Sequence, residues 1–343
     1  MKLLPTQNNN TAVAEAEIRG YLENLSPAKL GLTSKVKVSM VKPLGASGER
    51  HLNYKIMANR KAFLLRISLN SKKILRHLNR EYSTLKRIEK FNISPRAYII
   101  EKSKTHLGTP FIVLEFIEGK HPDGINDNVI RQIAVLNAEL HAAKIDRKMR
   151  AGLRHRRLDD IFGATEQFMY DAIADLKANK NTALIRLLQL SYERLSSKKI
   201  DFTEKSDLIH SDIALENIIQ NSRGIFLIDW ETAAIGDPCI DIATTVDRLA
   251  LNSRQEKLLV KEYLKLVDDE NFAKRYPVFL KARVFNRLCW VLRQTFGVKY
   301  GRTSKYFPKE RSWREYEKFS IKEFGKCRRY GAIPRTAKWK NPF

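Results

Sequence analysis

A chain of 343 residues with 43% hydrophobic side chains is long enough for one large domain or two ordinary ones, each with a sizeable core. No uninterrupted apolar run reaches the roughly 18 residues of a membrane span, and the start, MKLLPTQNNN, breaks at Pro5 before a signal-peptide core forms. The net charge of +25 excludes a balanced surface and favours anionic partners such as nucleic acid, membrane surfaces or phosphorylated metabolites.

In chain order, the first ten residues are polar. From Thr11 onward Ala14, Ile18, Tyr21, Leu22 and Leu25 share one helical face, and Ser26 with Pro27 starts a short second helix. From Lys35 the pattern turns to strands, KVKVSMV, HLNYKIM and AFLLRISL, joined by PLGASGER and ANRK. Residues 71–90 return to helical spacing behind Ser71 as a cap, and two further strands follow, AYIIEKS and PFIVLEFI. Beyond about residue 120 the periodicity is helical near 127–143, 158–178, 182–197, 239–250, 253–267 and 277–296. Ser253 and Glu256 form a capping box for the fifth of these, while Pro277 opens and Gly297 closes the sixth. The fold class expected is therefore α+β, a small β-rich lobe preceding a larger helical one. Three cysteines, Cys239, Cys289 and Cys327, lie far apart, without the close spacing of a zinc or redox pair, and read as reduced, mostly buried thiols.

The helices are interrupted at 208–243 by LIHSDIALENIIQ, FLIDWE and AIGDPCIDIA. Asp212 and Asn217 lie five apart after His210, and Asp229 ends an apolar run twelve residues later. This is the spacing of H-x-D-x-x-x-x-N and its partner carboxylate in phosphoryl transfer. Such chemistry needs cations on the phosphate oxygens and a carboxylate that orients the acceptor hydroxyl and takes its proton. Asp212 is the candidate base, Asn217 and Asp229 are hard oxygen ligands suited to Mg²⁺, and His210 braces the loop.

On these residues the chain resembles the aminoglycoside phosphotransferase and choline kinase superfamily, relatives of the protein kinases. Asp229-Trp230-Glu231 stands where protein kinases carry D-F-G, and Gly236-Asp237-Pro238 with Asp241-Ile242-Ala243 continues the pattern. The match extends over roughly residues 31–295. The resemblance implies a protein-kinase-like bilobal fold, ATP or GTP as donor with Mg²⁺, and a cytoplasmic enzyme. It further implies that Asp241 anchors the catalytic loop. The domains expected are an N-terminal helical extension (1–30), a nucleotide-binding N-lobe (31–118), a catalytic and acceptor-binding C-lobe (119–299) and a basic aromatic tail (300–343) packed on it. In the N-lobe, Gly45, Ser47 and Gly48 belong to a turn covering the phosphates. Arg66 stands where family members often carry Lys, with Glu81 as its ion-pair partner, and the hinge from Glu115 through Ile117 to Glu118 meets adenine through backbone groups. Arg66 departs from the protein-kinase pattern, as does Ala214, where a phosphate-contacting Lys is usual; the second departure points away from protein substrates.

The acceptor is less legible. Residues 144–157, KIDRKMRAGLRHRR, hold seven Lys or Arg and one Asp, which reads as a solvated face and disfavours a polycationic acceptor; acidic Asp159, Asp160, Glu166, Asp171 and Asp175 follow. From Phe272 to the end there are 20 Lys and Arg against 4 Glu. Beyond residue 300 they interleave with rings such as Tyr306, Trp313, Phe324 and Trp339, either to bind RNA or to pack the tail on the large lobe. Three functions follow: a small-molecule O-phosphotransferase, a kinase of an anionic macromolecule such as RNA or a glycolipid, or a binding module that has lost catalysis.

Overall fold

The computed structural model describes residues 13–47, 51–68, 72–197, 202–301, 312–339 and 342. The first ten residues, Gly48, Ser71 and the tail residues 302–311 lie outside them. The chain forms two compact units. One holds the described residues to Lys120 with 219–222 and 226–232; the other holds 121–218, 223–225 and the rest from Ala233. No described helix is long and apolar enough to cross a membrane.

In the first unit, α1 (Glu15–Glu23) and a 3₁₀ turn (Pro27–Leu30) precede β1 (Val38–Ser47), β2 (His51–Ala58), β3 (Lys61–Ser68), α2 (Lys72–Ile88), β4 (Ala97–Glu101) and β5 (Phe111–Glu115). The five strands form one antiparallel sheet ordered β1-β2-β3-β5-β4. The β2–β3 connection is two residues long, with Asn59 at φ 49° and Arg60 at φ 64°, a mirror-image turn whose twist suits the flanking strands. Ile18, Leu22 and Leu30 pack into the same core as Ile56, Phe63, Leu65 and Val113. At about 1.5–3 kcal/mol for each large apolar side chain buried, those three tie the N-terminal segment to the sheet.

The second unit is mainly helical: α3 (Asp127–His141), α4 (Arg147–Gly152), β6 (Arg154–Arg156), α5 (Leu158–Ala178), α6 (Thr182–Ser196) and β7 (Asp207–Ile209). The short strands β8 (Ile218–Asn221) and β9 (Gly224–Leu227) pair as a two-stranded sheet, of which 219–221 and 226–227 belong to the first unit. Then come β10 (Ala234–Gly236), α7 (Cys239–Arg248), α8 (Ser253–Leu264), α9 (Phe272–Lys299) and α10 (Trp313–Arg329). Helix α9 is the spine: Phe279, Phe285, Leu288, Leu292 and Phe296 are all fully buried, and α5, α7 and α10 pack against it. From α10, Tyr316, Phe324 and Cys327 are buried, and Trp339 meets the Phe324 ring edge-on at 5.1 Å. All three cysteines are free and buried.

Three helix-end assignments differ from the sequence reading, one of them at the end of α9, which runs on to Lys299 with Gly297 inside it because Phe296 and Gly297 stay buried in the core. The capping box of α8 is Asn252 with Gln255, not Ser253 with Glu256, because the Asn252 side chain accepts the Gln255 amide hydrogen while the Gln255 side chain accepts from Asn252. Helix α9 begins at Phe272, so Pro277 lies inside it. Burial of the Phe272 ring, stacked on Tyr276 at 5.3 Å and packed on Tyr263, holds the earlier turn despite the missing amide.

A three-stranded sheet ordered β6-β10-β7 sets the frame of the candidate site. Gly236 is obligatory there: a Cβ would sit 2.6 Å from the Arg156 carbonyl oxygen and 2.7 Å from Ile209 Cδ1. Replacing Gly236 with Ala must push β6 and β7 apart. We expect a loss of about 1–3 kcal/mol, read as a lower urea midpoint at unchanged slope.

Candidate active site

Strand β7 runs straight into His210, Ser211 and Asp212. Ser211 has φ 71°, a left-handed conformation costly for a residue with a Cβ, so something must hold it. That restraint is Asp241 in the first turn of α7. Its carboxylate accepts the Ser211 amide at 2.7 Å, the His210 amide at 2.8 Å and the Nε2 of His141 at 3.2 Å, and it is completely buried. Burial works against its charge, but His141, His210 and the amide donors outweigh this and hold its pKa below the ordinary aspartate value. His141 is itself fixed, its Nδ1 lying 2.9 Å from the Tyr263 hydroxyl. Nearby Asp237, also fully buried, accepts the Lys205 and Cys239 amides at 2.9 Å each and pairs with Arg275 Nε at 2.7 Å.

Asp212 is released from this buried scaffold, with its side chain 39% exposed. Its amide donates to His210 Nδ1 at 3.3 Å, which makes His210 a brace within the loop. The Asn217 amide nitrogen donates to the Asp212 carbonyl at 2.8 Å and to its Oδ2 at 3.3 Å. Asn217 is thereby oriented with its nitrogen toward Asp212. Arg248, at the end of α7, pairs closely with Glu216 and places Nε 3.9 Å from Asp212 Oδ1.

In the first unit, Arg66 on β3 lies 2.6 and 2.8 Å from the two oxygens of Glu81 on α2, both side chains being buried. Asp229 Oδ1 lies 3.5 Å from the same Arg66 nitrogen. Burial opposes the guanidinium charge, yet Glu81, Asp229 and Glu231 around it raise its pKa above the ordinary value, so Arg66 is a fixed cation. Asp229 has φ 65°, the second strained aspartate-loop position, and keeps 41% of its side chain exposed. Trp230 is fully buried and donates from Nε1 to the Leu227 carbonyl at 2.9 Å; Glu231 accepts on its carbonyl from Arg80 at 3.0 Å. Thus the triplet after β9 is anchored by its second and third residues while the first is presented outward.

The remaining residues singled out in the sequence fall as follows. Gly45 and Ser47 belong to β1, whose pairing with β2 slips register between Pro43 and Ala46, so the strand runs further than the expected turn. Glu115 ends β5, and its amide is spent on the Arg96 carbonyl at 2.7 Å. Ile117 is buried, and its backbone makes no hydrogen bond among the described residues. Gly119 has φ 154° and approaches Gln220 so closely that a Cβ would lie 2.6 Å from that carbonyl. Among the described residues no group of three or more His, Cys, Asp or Glu side chains is placed to hold a metal by itself.

The sequence reading missed His141, Arg156 and Arg248. No local spacing marks His141, whose partner Asp241 is 100 residues away. Arg156 sits in the basic run taken as a solvated face, but it is half-buried on β6 and donates to the Ser211 carbonyl at 3.4 Å.

With this geometry in view, comparison with known proteins is informative. The model of a family described as "Phosphotransferase enzyme family" matches residues 41–274. A LicA homolog of Mycoplasma capricolum is 26% identical over 156 residues, 44% of this chain. The chain spans 57% of the length of that relative and 22% of another curated relative. Among solved structures, a spectinomycin phosphotransferase in complex with ADP and spectinomycin superposes with a TM-score of 0.59 at 14% identity, covering 88% of this chain and 94% of its own. The choline kinase LicA from Streptococcus pneumoniae does so with a TM-score of 0.55 at 15% identity, covering 84% and 94%. The kinase-like fold, the DWE and GDP-x-x-DIA segments and the matched span agree: the chain belongs to the phosphotransferase enzyme family.

Proposed function

We propose that the chain is a kinase that moves the γ-phosphate of ATP to a hydroxyl of a small molecule, with Asp212 as base. The observation that carries this is the loop at Asp212: a strained backbone clamped by the buried Asp241 carboxylate, with one half-exposed carboxylate left over. Asp212 orients the acceptor hydroxyl and takes its proton as the oxygen attacks phosphorus. Arg66, held by Glu81, meets the α and β phosphates, and the unpaired backbone of Ile117 suits an adenine edge.

Magnesium fits the residues available. Both hydrogen bonds of the Asn217 side chain leave from its nitrogen, so the amide oxygen remains for a hard cation, and Asp229 keeps an exposed carboxylate. Two such ligands, with the remainder from phosphates and water, are the usual Mg²⁺ arrangement in nucleotide sites. When bound, the ion neutralises charge on the phosphate oxygens.

Replacing Asp229 with Ala tests this assignment by calorimetry. Affinity for ATP should fall at least about tenfold, about 1.4 kcal/mol, with magnesium present, and change little in excess chelator. Equal affinities of variant and wild type with magnesium would reject Asp229 as a ligand.

A further inference from the structure

The second unit carries a cluster of guanidinium groups, two of which have no carboxylate within ion-pair distance among the described residues. Arg283 and Arg287 lie one turn apart on α9, Arg248 ends α7, and Arg156 comes from β6. The buried carboxylate of Asp247 serves both Arg283 at 3.1 Å and Lys326 at 2.8 Å, and buried Glu323 also takes Lys326 at 3.0 Å. Arg248 is divided between Glu216 and Asp212. Arg156 and Arg287 have no carboxylate within ion-pair distance among the described residues; Arg156 reaches only the Ser211 carbonyl, and Arg287 stacks on Trp290 at 4.3 Å.

Two cavities open onto these groups. One, of about 140 Å³, is lined by Arg156, Arg283, Asn286, Thr244, Phe168 and Asp160. The other, of about 240 Å³, sets Arg248, Arg287, Lys322 and Lys326 against Glu216, Asp247 and Glu323. The smaller has room for a compact anionic group beside two guanidinium groups. Burial, with Arg283 and Arg154 nearby, pushes Arg156 down to about 10; burial, with Arg248 and Arg283, does the same to Arg287. Asp241 and Asp212 offset this in part for Arg156, as Asp247 and Glu323 do for Arg287, but neither guanidinium has a carboxylate in direct contact, and clustered half-buried cations of this kind beside a reactive group suit a ligand that adds negative charge.

We propose that the acceptor is a hydroxylated small molecule carrying a phosphate or carboxylate group, that Arg156 and Arg283 hold that anionic group in the smaller cavity while its hydroxyl reaches Asp212, and that Arg248 and Arg287 on the larger cavity add to the positive field around it. This rests on the phosphotransfer reading above. Arg156, bonded to the carbonyl of Ser211, links the anion site to the residue preceding the base. A cationic acceptor would meet repulsion in these cavities.

Two measurements on the full chain decide it. With ADP and magnesium saturating, inorganic phosphate or acetate is compared with chloride at matched ionic strength. At least one of the two should raise the melting temperature of the wild type, and the double variant Arg156→Gln/Arg287→Gln should lose that rise. Without added anion the double variant should melt no lower than the wild type, since two like charges have gone. No rise in the wild type, or an equal rise in both proteins, would overturn the anion site.

In the second measurement, γ-labelled ATP is supplied with a cell extract divided by ion exchange into anionic, neutral and cationic small molecules, with RNA and lipids kept apart. Label should enter the anionic small-molecule fraction and fall at least tenfold with the double variant. Label confined to any other fraction overturns the proposal. No transfer to any fraction, by a protein that binds Mg-ATP, rejects the phosphotransfer reading instead, and the phosphate and acetate comparison still decides the anion site.

Discussion

Replacing Asp212 with Asn is expected to lower kcat by about 10²–10⁴-fold while ATP binding stays unchanged. The substitution is nearly isosteric and removes only the basicity of the side chain. The bond that fixes Asn217 most firmly, at 2.8 Å, ends on the Asp212 backbone carbonyl, which the variant retains. The clamp on the preceding residues, from Asp241 to the His210 and Ser211 amides, is untouched. Loss of rate therefore reports the proton acceptor and not a collapsed loop. Single-turnover transfer at saturating ATP, with nucleotide affinity by calorimetry, separates the two. Full transfer by the variant would remove Asp212 from the role of base.

The parts of this site that are continuous in sequence were legible there. The strand, loop and strand around Asp212, Asn217 and Asp229 announce themselves by spacing, and the strands of the first unit follow from alternating apolar runs ended by recognisable turns, though not the placing of β5 between β3 and β4. Asp241 as the anchor of the loop was available only through family resemblance, and its three bonds to the loop and His141 now give that role a physical basis. What stayed hidden depends on pairing across distance. The run 144–157 has the composition of a solvated face, yet parallel pairing of β6 with β10 draws Arg156 against the Ser211 carbonyl. Periodicity could not reveal that register, because β6 is three residues long. The one-residue error in the cap of α8 has the same origin: Ser253 and Asn252 are both good caps, and only side-chain geometry chooses between them. Pro277 misled because a proline usually opens a helix, whereas here the apolar contacts of Phe272 and Tyr276 extend the helix backward past it.

The Asp241→Asn variant should lose stability and catalysis together, by a route distinct from that of Asp212. One carboxylate oxygen becomes an amide nitrogen, which cannot accept a hydrogen bond, so either the Ser211 amide or both the His210 amide and His141 lose their acceptor in a fully buried place. Breaking one side of such a buried charged network costs about 3–5 kcal/mol. Ser211, no longer held at φ 71°, relaxes toward ordinary backbone, and Asp212 moves with the Asn217 side chain bonded to its carbonyl; kcat should fall by more than affinity for Mg-ATP. The pH dependence separates this role from simple core damage. Because the folded-state pKa of Asp241 lies below its ordinary value of 3.8, its contribution is fully present above that value and is lost as pH falls through the folded pKa. Asp247 and Asp269 are also held low, but they titrate in both proteins and cancel in the comparison. Urea unfolding should therefore show a large gap between wild type and variant at pH 7 that narrows below about pH 4. A gap that stays constant to low pH would mean that the Asp241 charge does not hold the loop.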